Sequence, residues 1–318
     1  MSTVPSELTV EVDTVGAPSQ GAPTPARRVV STLRKSPAVL LSVGFIVFVA
    51  LLAIFAPVHT WITGWGPYEF DPSAINTDLG GIPYGPLGGV SAEHWFGVEP
   101  QNGRDLFARV AYGARVSLLI AISATLVTIV TGVILGMLAG FFGGAVDQVI
   151  SRVMDFLMAF PSLIFMIALL SALPAGNRPV LLVLVLSIFG WPYTARVIRG
   201  QTMSLKNREF VEAARASGAT SVQIVFREVL PNLRGTIIVL ATLAIPGYIG
   251  TEAGLSFLGV GVTPPTPSWG QMIASAVGWY AVDPMFFLIP GTFLFLTVLS
   301  FTVLGDHLKK ALDGRDSA

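Results

Sequence analysis

The segment Arg208–Asn232, REFVEAARASGATSVQIVFREVLPN, is the longest highly charged stretch in the hydrophobic part of the chain. Asn207 stands where it can cap a helix, and Glu209 and Glu212 would fall in the first turns of that helix. The positive end of the helix dipole favours carboxylates there. Gly218 follows as the left-handed residue that commonly ends a helix. The first half of the segment therefore predicts a short helix that stops at a bend.

A second short helix is predicted after the bend. Thr220 is followed three residues later by Gln223, which is the spacing of a capping box. Pro231 is expected to mark the end of this helix, since proline disfavours helix in the residue before it. Apolar side chains at helical spacing predict a stripe that lies inward on the rest of the protein: Val222, Val225, Phe226, Val229 and Leu230. On pattern alone, the hairpin either has a purely structural role or presents its small alanines to another protein.

Composition places the chain in a membrane. Hydrophobic residues make up 53% of the 318 positions and charged residues 12%, whereas soluble proteins carry about 25% charged residues. A helix needs about 20 apolar residues to cross the hydrocarbon core of a bilayer. We therefore predict an all-α integral membrane protein with six transmembrane helices, at Ala38–Thr60, Val116–Val146, Phe156–Asn177, Pro179–Ala195, Gly235–Thr251 and Pro284–Gly305.

Lysine and arginine are distributed asymmetrically around these stretches. If the N-terminus is inside and the helices alternate, the outer segments hold only Arg104, Arg109, Arg115 and Arg178 of the 19 basic residues. Cytoplasmic loops normally carry such an excess of the positive charge, so the hairpin and both termini are predicted to be cytoplasmic. We expect a disordered cytoplasmic tail (1–35), a first transmembrane helix (36–60) and an extracytoplasmic segment (61–115). A membrane core (116–305) that contains the hairpin 206–232 follows, and then a cytoplasmic tail (306–318).

Several kinds of site are excluded by what the sequence lacks. Without cysteine, neither a disulfide, a thiol nucleophile nor a thiolate metal site can form. His59, His94 and His307 lack ligand spacing, so we expect solvated or interfacial histidines and no metal. No G-x-x-x-x-G-K-[ST] loop occurs, so the chain cannot be an ATPase, and no catalytic constellation suggests another enzyme. An ion-coupled carrier would need charged relays within the spans; Glu252 and Asp155 suit interfacial or capping roles better.

Four glycines recur at every fourth position of the second predicted span: Gly132, Gly136, Gly140 and Gly144. On a helix they form one smooth stripe, where another backbone can approach closely. Tight packing against a neighbouring helix and a sliding surface during gating are both compatible with such a stripe.

The hairpin also contains a recognisable motif. The stretch EAARASG followed by LP resembles the EAA motif of the membrane subunits of ATP-binding-cassette (ABC) importers. Glu228 departs from that motif, since the family usually has an apolar residue or histidine two positions before the leucine. The positions that carry the resemblance are Glu212, Ala213, Ala214, Gly218, Leu230 and Pro231.

Two further stretches narrow the resemblance. HWFGVEPQNGRDLFARVAYGARVSL, before the second span, is similar to the corresponding segment of the dipeptide, oligopeptide and nickel permeases. IPGYIGTEAGLSFLGVGVTPPTPSWGQMI is similar to the fifth-span signature of the same family. The resemblance covers about residues 36–312 and implies the type I ABC importer fold. Within the permease heterodimer it indicates the C-type subunit, whose first loop is short.

The resemblance also implies partners. In such importers the hairpin is a coupling helix received by a cytoplasmic ATPase, and ATP and Mg are bound by one or two ATPase subunits rather than by the permease. A homologous second permease, an extracytoplasmic substrate-binding protein and membrane lipid complete the expected partners, with no nucleic acid, in a bacterial inner membrane. Peptide is the expected substrate, with nickel or another small solute as the alternative. The residues expected to couple are Glu212, Ala213, Ala214, Arg215, Gly218, Leu230 and Pro231.

Gly103, Arg104 and Asp105 stand just before the second span and allow two interpretations. Asp105 could simply cap a short amphipathic helix that contains Leu106, Phe107 and Val110. Alternatively, the three residues form an outer gate or a surface where the binding protein docks.

Overall fold

The computed structural model describes residues 36–174 and 176–313, so the predicted tail 1–35 and the last residues of the predicted tail 306–318 lie outside it. The described part is largely α-helical. In chain order the helices are α1 (Pro37–Ile54), α2 (Ala56–Thr63), α3 (Leu106–Phe142), α4 (Gly144–Ala159), α5 (Ser162–Ala172), α6 (Arg178–Leu205), α7 (Glu209–Ala216), α8 (Ser221–Ile224), α9 (Leu230–Phe257), α10 (Trp269–Ala276) and α11 (Pro284–Asp313).

Within the described residues, five helical segments are long and apolar enough to cross a membrane: α1, α3, α6, the continuous segment Ser221–Phe257, and α11. A sixth is possible if α4 and α5 together form one span, although they meet at a bend of 86°. The predicted span Phe156–Asn177 straddles this bend. Phe160 has an extended backbone because it precedes Pro161, and the helix cannot continue through it.

Other helix boundaries also differ from the predicted ones. The predicted first span is divided at Phe55 between α1 and α2. The extracytoplasmic segment 61–115 includes the first turns of α3, which starts at Leu106. The last helix continues to Asp313, so residues 306–313 of the predicted tail are helical and continuous with α11.

The helix α3 is central to the bundle and packs most extensively against α6. Ile120 and Leu170 belong to a buried apolar cluster that joins α3, α5 and α6. Toward the other end of α3, Phe141, Ile198 and Val211 belong to a second cluster, which joins α3 and α6 to the hairpin. The hairpin therefore rests on the C-terminal ends of α3 and α6, the two helices that form the centre of the bundle.

Residues 64–105, between α2 and α3, form what we call the outer cap. It consists of turns and of two short antiparallel strands, β1 (Ile75–Asn76) and β2 (Ile82–Pro83), with Ile75 opposite Pro83. The cap ends where Asp105 accepts a hydrogen bond from the backbone N–H of Ala108 at 2.6 Å and begins α3. Both ends of the cap thus continue directly into helices.

Candidate functional site

The first half of the hairpin is a helix followed by a tight bend. Gly218 has a φ of +82°, and the N–H of Ala219 donates to the carbonyl of Ala214 at 3.0 Å. The predicted left-handed glycine is therefore confirmed by the geometry. Asn207 does not cap α7, because Arg208 is the N-cap residue and the Asn207 amide donates to the carbonyl of Met203 at 3.4 Å.

The second half of the hairpin opens with the predicted capping box. The N–H of Gln223 donates to the Thr220 hydroxyl oxygen at 3.3 Å, and the N–H of Thr220 donates to the Gln223 side-chain oxygen at 2.8 Å. Two N–H groups that would otherwise lack helical partners are satisfied in this way. The bend is thus held by local hydrogen bonds on both sides.

The helix that starts there does not end at Pro231, contrary to the sequence prediction. A π-helical turn at Val225–Val229 precedes α9, and the N–H of Leu230 donates to the carbonyl of Val225, five residues earlier. A wider turn of this kind is often found where the regular ladder is disturbed, here beside a proline that has no N–H to donate. The hairpin therefore continues into the span α9 without a break.

The π turn also changes which side chains face inward. The predicted stripe assumed 3.6 residues per turn, but Val222 and Phe226 are 62% and 61% exposed, whereas Ile224 and Val229 are buried. The expected inward position of Val222 and Phe226 is therefore wrong.

Most of the residues predicted to couple lie on the exposed side of the hairpin. Glu212, Ala213 and Arg215 are exposed, and Ala214 is half-buried. The Arg215 guanidinium lies 5.9 Å from the centroid of the Phe141 ring at the C-terminal end of α3. Leu230 and Pro231 are half-buried at the start of α9. One side of the hairpin is thus packed on the bundle, and the other is free to meet a second molecule.

Three of the four stripe glycines face α6. A Cβ on Gly132 would lie 2.6 Å from the Cβ of Thr194, and one on Gly140 would lie 2.7 Å from the carbonyl oxygen of Arg199. Gly136 lies between them on the same face. Gly144 is not part of this stripe, because α3 ends at Phe142 and a Cβ on Gly144 would meet nothing within 4 Å.

The three residues considered for docking, Gly103, Arg104 and Asp105, are buried in the outer cap. A Cβ on Gly103 would overlap the carbonyl group of Asp71. Arg104 forms an ion pair with Glu99 at 2.6 Å. Asp105 caps a helix of 37 residues and not a short one. These side chains therefore hold the cap together, and their burial argues against docking at this place. The outer-gate interpretation stays a prediction.

His59 and His94 are buried beside Asp105, which corrects the expectation of solvated or interfacial histidines. The two ring nitrogens of His94 lie 2.9 Å from Asp105 and 3.2 Å from Asp71. Burial alone would raise the pKa of Asp71, but hydrogen bonds from Ser73 and His94 outweigh it and hold that pKa below its usual value. Burial lowers the pKa of His59 and raises that of Asp105. This polar cluster lies inside the cap.

Two charged side chains are buried in the bundle, Arg109 on α3 and Glu252 on α9. The interfacial position predicted for Glu252 is therefore wrong, and the sequence predicted no specific role for Arg109. Each side chain is fully buried and hydrogen-bonded to several chain segments. A signal was present for Glu252, an ionisable residue at the end of a long apolar stretch, since such residues are usually functional or paired. Arg109 lies among other charged residues and gave no such signal. Their partners are far apart in sequence and could not be read from it.

Residues 132–315 match the family described as "Binding-protein-dependent transport system inner membrane component". The chain is 36% identical over 280 residues to the oligopeptide transport system permease protein OppC of Bacillus subtilis, covering 88% of this chain and 86% of that protein. It is 39% identical over 294 residues to the glutathione transport system permease protein GsiD of Salmonella typhimurium, covering 91% and 90%.

A solved structure is similar in fold. An inward-facing form of the MetNI methionine ABC transporter aligns with a TM-score of 0.52 and 19% sequence identity, covering 64% of this chain and 95% of the other.

Proposed function

The chain belongs to the family of binding-protein-dependent transport system inner membrane components, and from this premise we propose that it is the permease subunit of an ATP-driven importer of short peptides. The proposal rests on the structure of the hairpin. Its bend is held by the Thr220–Gln223 capping box and by left-handed Gly218, and its second helix continues into the span α9. A stiff element of this kind transmits movement that a flexible loop would absorb.

In this proposal the hairpin and both termini are cytoplasmic. A partner ATPase binds ATP and Mg and receives the exposed side of α7, including Glu212 and Ala213. ATP binding draws this hairpin toward that of a second, homologous permease, which tilts the spans and opens a path to the outside. Hydrolysis reverses the movement. An extracytoplasmic binding protein supplies the substrate.

Peptide is favoured over nickel by two observations. The relatives reported above are named for oligopeptide and glutathione transport, and both substrates are peptides. A metal path would need histidine, cysteine or carboxylate ligands. Among the described residues, no group of three such side chains is placed to hold a metal ion.

Two variants test the hairpin in the complex reconstituted with its ATPase, second permease and binding protein. Glu212→Ala removes an exposed charge, and Gly218→Val puts a β-branched residue at a φ of +82°, where it is strained. We expect both to lower peptide uptake and substrate-stimulated ATP hydrolysis while the two permeases still purify together.

The matched control is Gly64→Val. Gly64 has a φ of +80°, also follows a short helix, and has open space where a Cβ would lie, but it is on the opposite side of the bundle. It should retain uptake because the same local strain is placed far from the ATPase. Wild-type uptake and stimulated hydrolysis in both Glu212→Ala and Gly218→Val would refute the proposed coupling.

A further inference from the structure

Glu252, near the end of α9, is linked through two serines to the following segment, residues 258–268, which we call the outer loop, and to the start of α10. The hydroxyls of Ser117 and Ser256 donate to its two carboxyl oxygens at 2.9 and 2.7 Å. The same hydroxyl oxygens accept backbone N–H groups in turn, Ser256 from Val262 at 2.9 Å and Ser117 from Trp269 at 3.4 Å. One buried carboxyl group thus fixes the loop and the start of α10 through two serines.

Arg109, on α3, holds the middle of the outer loop. Its guanidinium donates to the carbonyl oxygens of Pro265 at 3.2 Å and Pro67 at 3.0 Å, and to the side-chain oxygen of Gln271 at 2.9 Å. It also forms an ion pair with Glu99. Pro67 and Glu99 belong to the outer cap, and Gln271 belongs to α10. One buried cation therefore joins the loop, the cap and α10.

Close packing supplements these polar contacts. The indole N–H of Trp269 donates to the carbonyl of Val110 at 3.2 Å, and its ring is fully buried. A Cβ on Gly270 would overlap the backbone of Ala253 on α9. The start of α10 is therefore in direct backbone contact with the helix that begins at the hairpin.

We propose that Glu252 and Arg109 are positioning residues that make the outer end of α9, the outer loop, α10 and the outer cap one rigid body. A tilt of α9 started at the hairpin then moves the whole outer surface together, so that the outer gate opens in step with the ATPase. The inference rests on the proposed function, and it adds a role for two residues within it.

The geometry explains why near-isosteric replacements should fail. A carboxylate accepts both serine hydroxyls, whereas the amide of Glu252→Gln has one acceptor oxygen and two N–H donors, so one hydroxyl loses its acceptor. In Arg109→Lys, a compact ammonium group replaces the planar guanidinium group, which alone has the N–H donors placed to reach all four partners. Matched controls are Thr125→Val, a buried hydroxyl on α3 without a hydrogen-bond partner, and Arg115→Lys, an exposed arginine on the same helix.

The first experiment measures rigidity. The chain contains no cysteine, so Leu258→Cys at the start of the outer loop and Leu79→Cys in the cap, both exposed, can carry spin labels in the reconstituted complex. In the otherwise wild-type chain we expect one narrow distance distribution that is the same with and without ATP. Glu252→Gln and Arg109→Lys should broaden it, and the two controls should not. A mean distance that shifts on ATP binding in the otherwise wild-type chain would overturn the proposal.

The second experiment measures the ratio of peptide uptake to ATP hydrolysis. Leaving a buried hydrogen-bonding group without its partner typically changes an equilibrium about tenfold or more, so we expect that ratio to fall about tenfold in Glu252→Gln and in Arg109→Lys. Subunit assembly should stay intact, and both controls should behave as wild type. If the wild-type complex takes up peptide and both variants show the same ratio as wild type, the assigned roles are wrong. A wild-type complex that fails to take up peptide would instead refute the proposed function, and this inference with it.

Discussion

Replacing Gly136 by alanine tests whether α3 and α6 are packed backbone to backbone. A Cβ at Gly136 would lie 2.6 Å from the carbonyl oxygen of Ala195 and 2.9 Å from the Cβ of Ile198. To restore an ordinary contact of 3.4 Å to both atoms, α6 must move away by about 0.8 Å along a closely packed face. The first neighbour is a backbone atom, so no side-chain rotation can relieve the overlap.

The expected cost follows from these distances. Overpacking a well-packed core destabilises by about 1–3 kcal/mol, and the backbone contact places Gly136→Ala toward the upper end. The better helix propensity of alanine returns about 1 kcal/mol, which leaves a net destabilisation of about 2 kcal/mol. Gly200→Ala on α6 is the matched control, since it is exposed and a Cβ there meets nothing within 4 Å; it should be neutral or stabilising.

The assay is the loss of the monodisperse size-exclusion peak of the detergent-solubilised complex after heating. Gly136→Ala should melt below wild type, and Gly200→Ala at or above it. Equal melting of Gly136→Ala and wild type would show that α3 and α6 do not approach as closely as described, and the packing argument would be wrong.

Three further predictions concern the hairpin and the outer cap. Thr220→Ala removes half of the capping box and should destabilise the hairpin by about 1 kcal/mol, which faster amide hydrogen exchange at the start of α8 would reveal. Arg104→Glu puts a carboxylate beside buried Glu99 and should lower the melting temperature even without a binding protein, whereas Asp78→Lys, on the exposed surface, should not. Asp71→Asn should lower that temperature near neutral pH. The difference in melting temperature between wild type and Asp71→Asn should disappear as the pH falls through the lowered pKa of Asp71 in the folded protein. Ionised Asp71 stabilises the fold fully above the pKa that it has in the unfolded chain, and this stabilisation is lost once the folded protein binds the proton. Melting curves over a pH series measure it.

Features that depend on neighbouring residues could be predicted from the sequence. The left-handed glycine and the capping box of the hairpin involve contacts across three to five positions, and both occur as expected at Gly218 and at Thr220–Gln223. The apolar spans follow from composition in the same way. The glycine stripe was predictable only within one helix. Gly144 falls outside it because the helix α3 ends at Gly143, whose φ is +68°.

Features that depend on tertiary packing could not be predicted. Arg104 and Asp105 look like exposed loop charges in the sequence, but the cap folds over them and supplies Glu99 and His94 as partners. The contact between Arg109 and Pro265 joins residues 156 positions apart. No periodicity within one segment records such a pairing, so a lone charge in an apolar stretch shows that a partner exists but not which one.

The continuous helix after the hairpin matters most for the mechanism, because local rules predicted a break at Pro231. The segment Ser221–Phe257 has 37 residues, which corresponds to about 55 Å of helix and exceeds the hydrocarbon core of about 30 Å. If such a helix tilts by about 10° around its inner end, its outer end moves by about 10 Å. In the proposed mechanism, a small rotation of the hairpin by the ATPase therefore produces its largest displacement at the outer end of this helix, where Glu252 is linked to the outer loop.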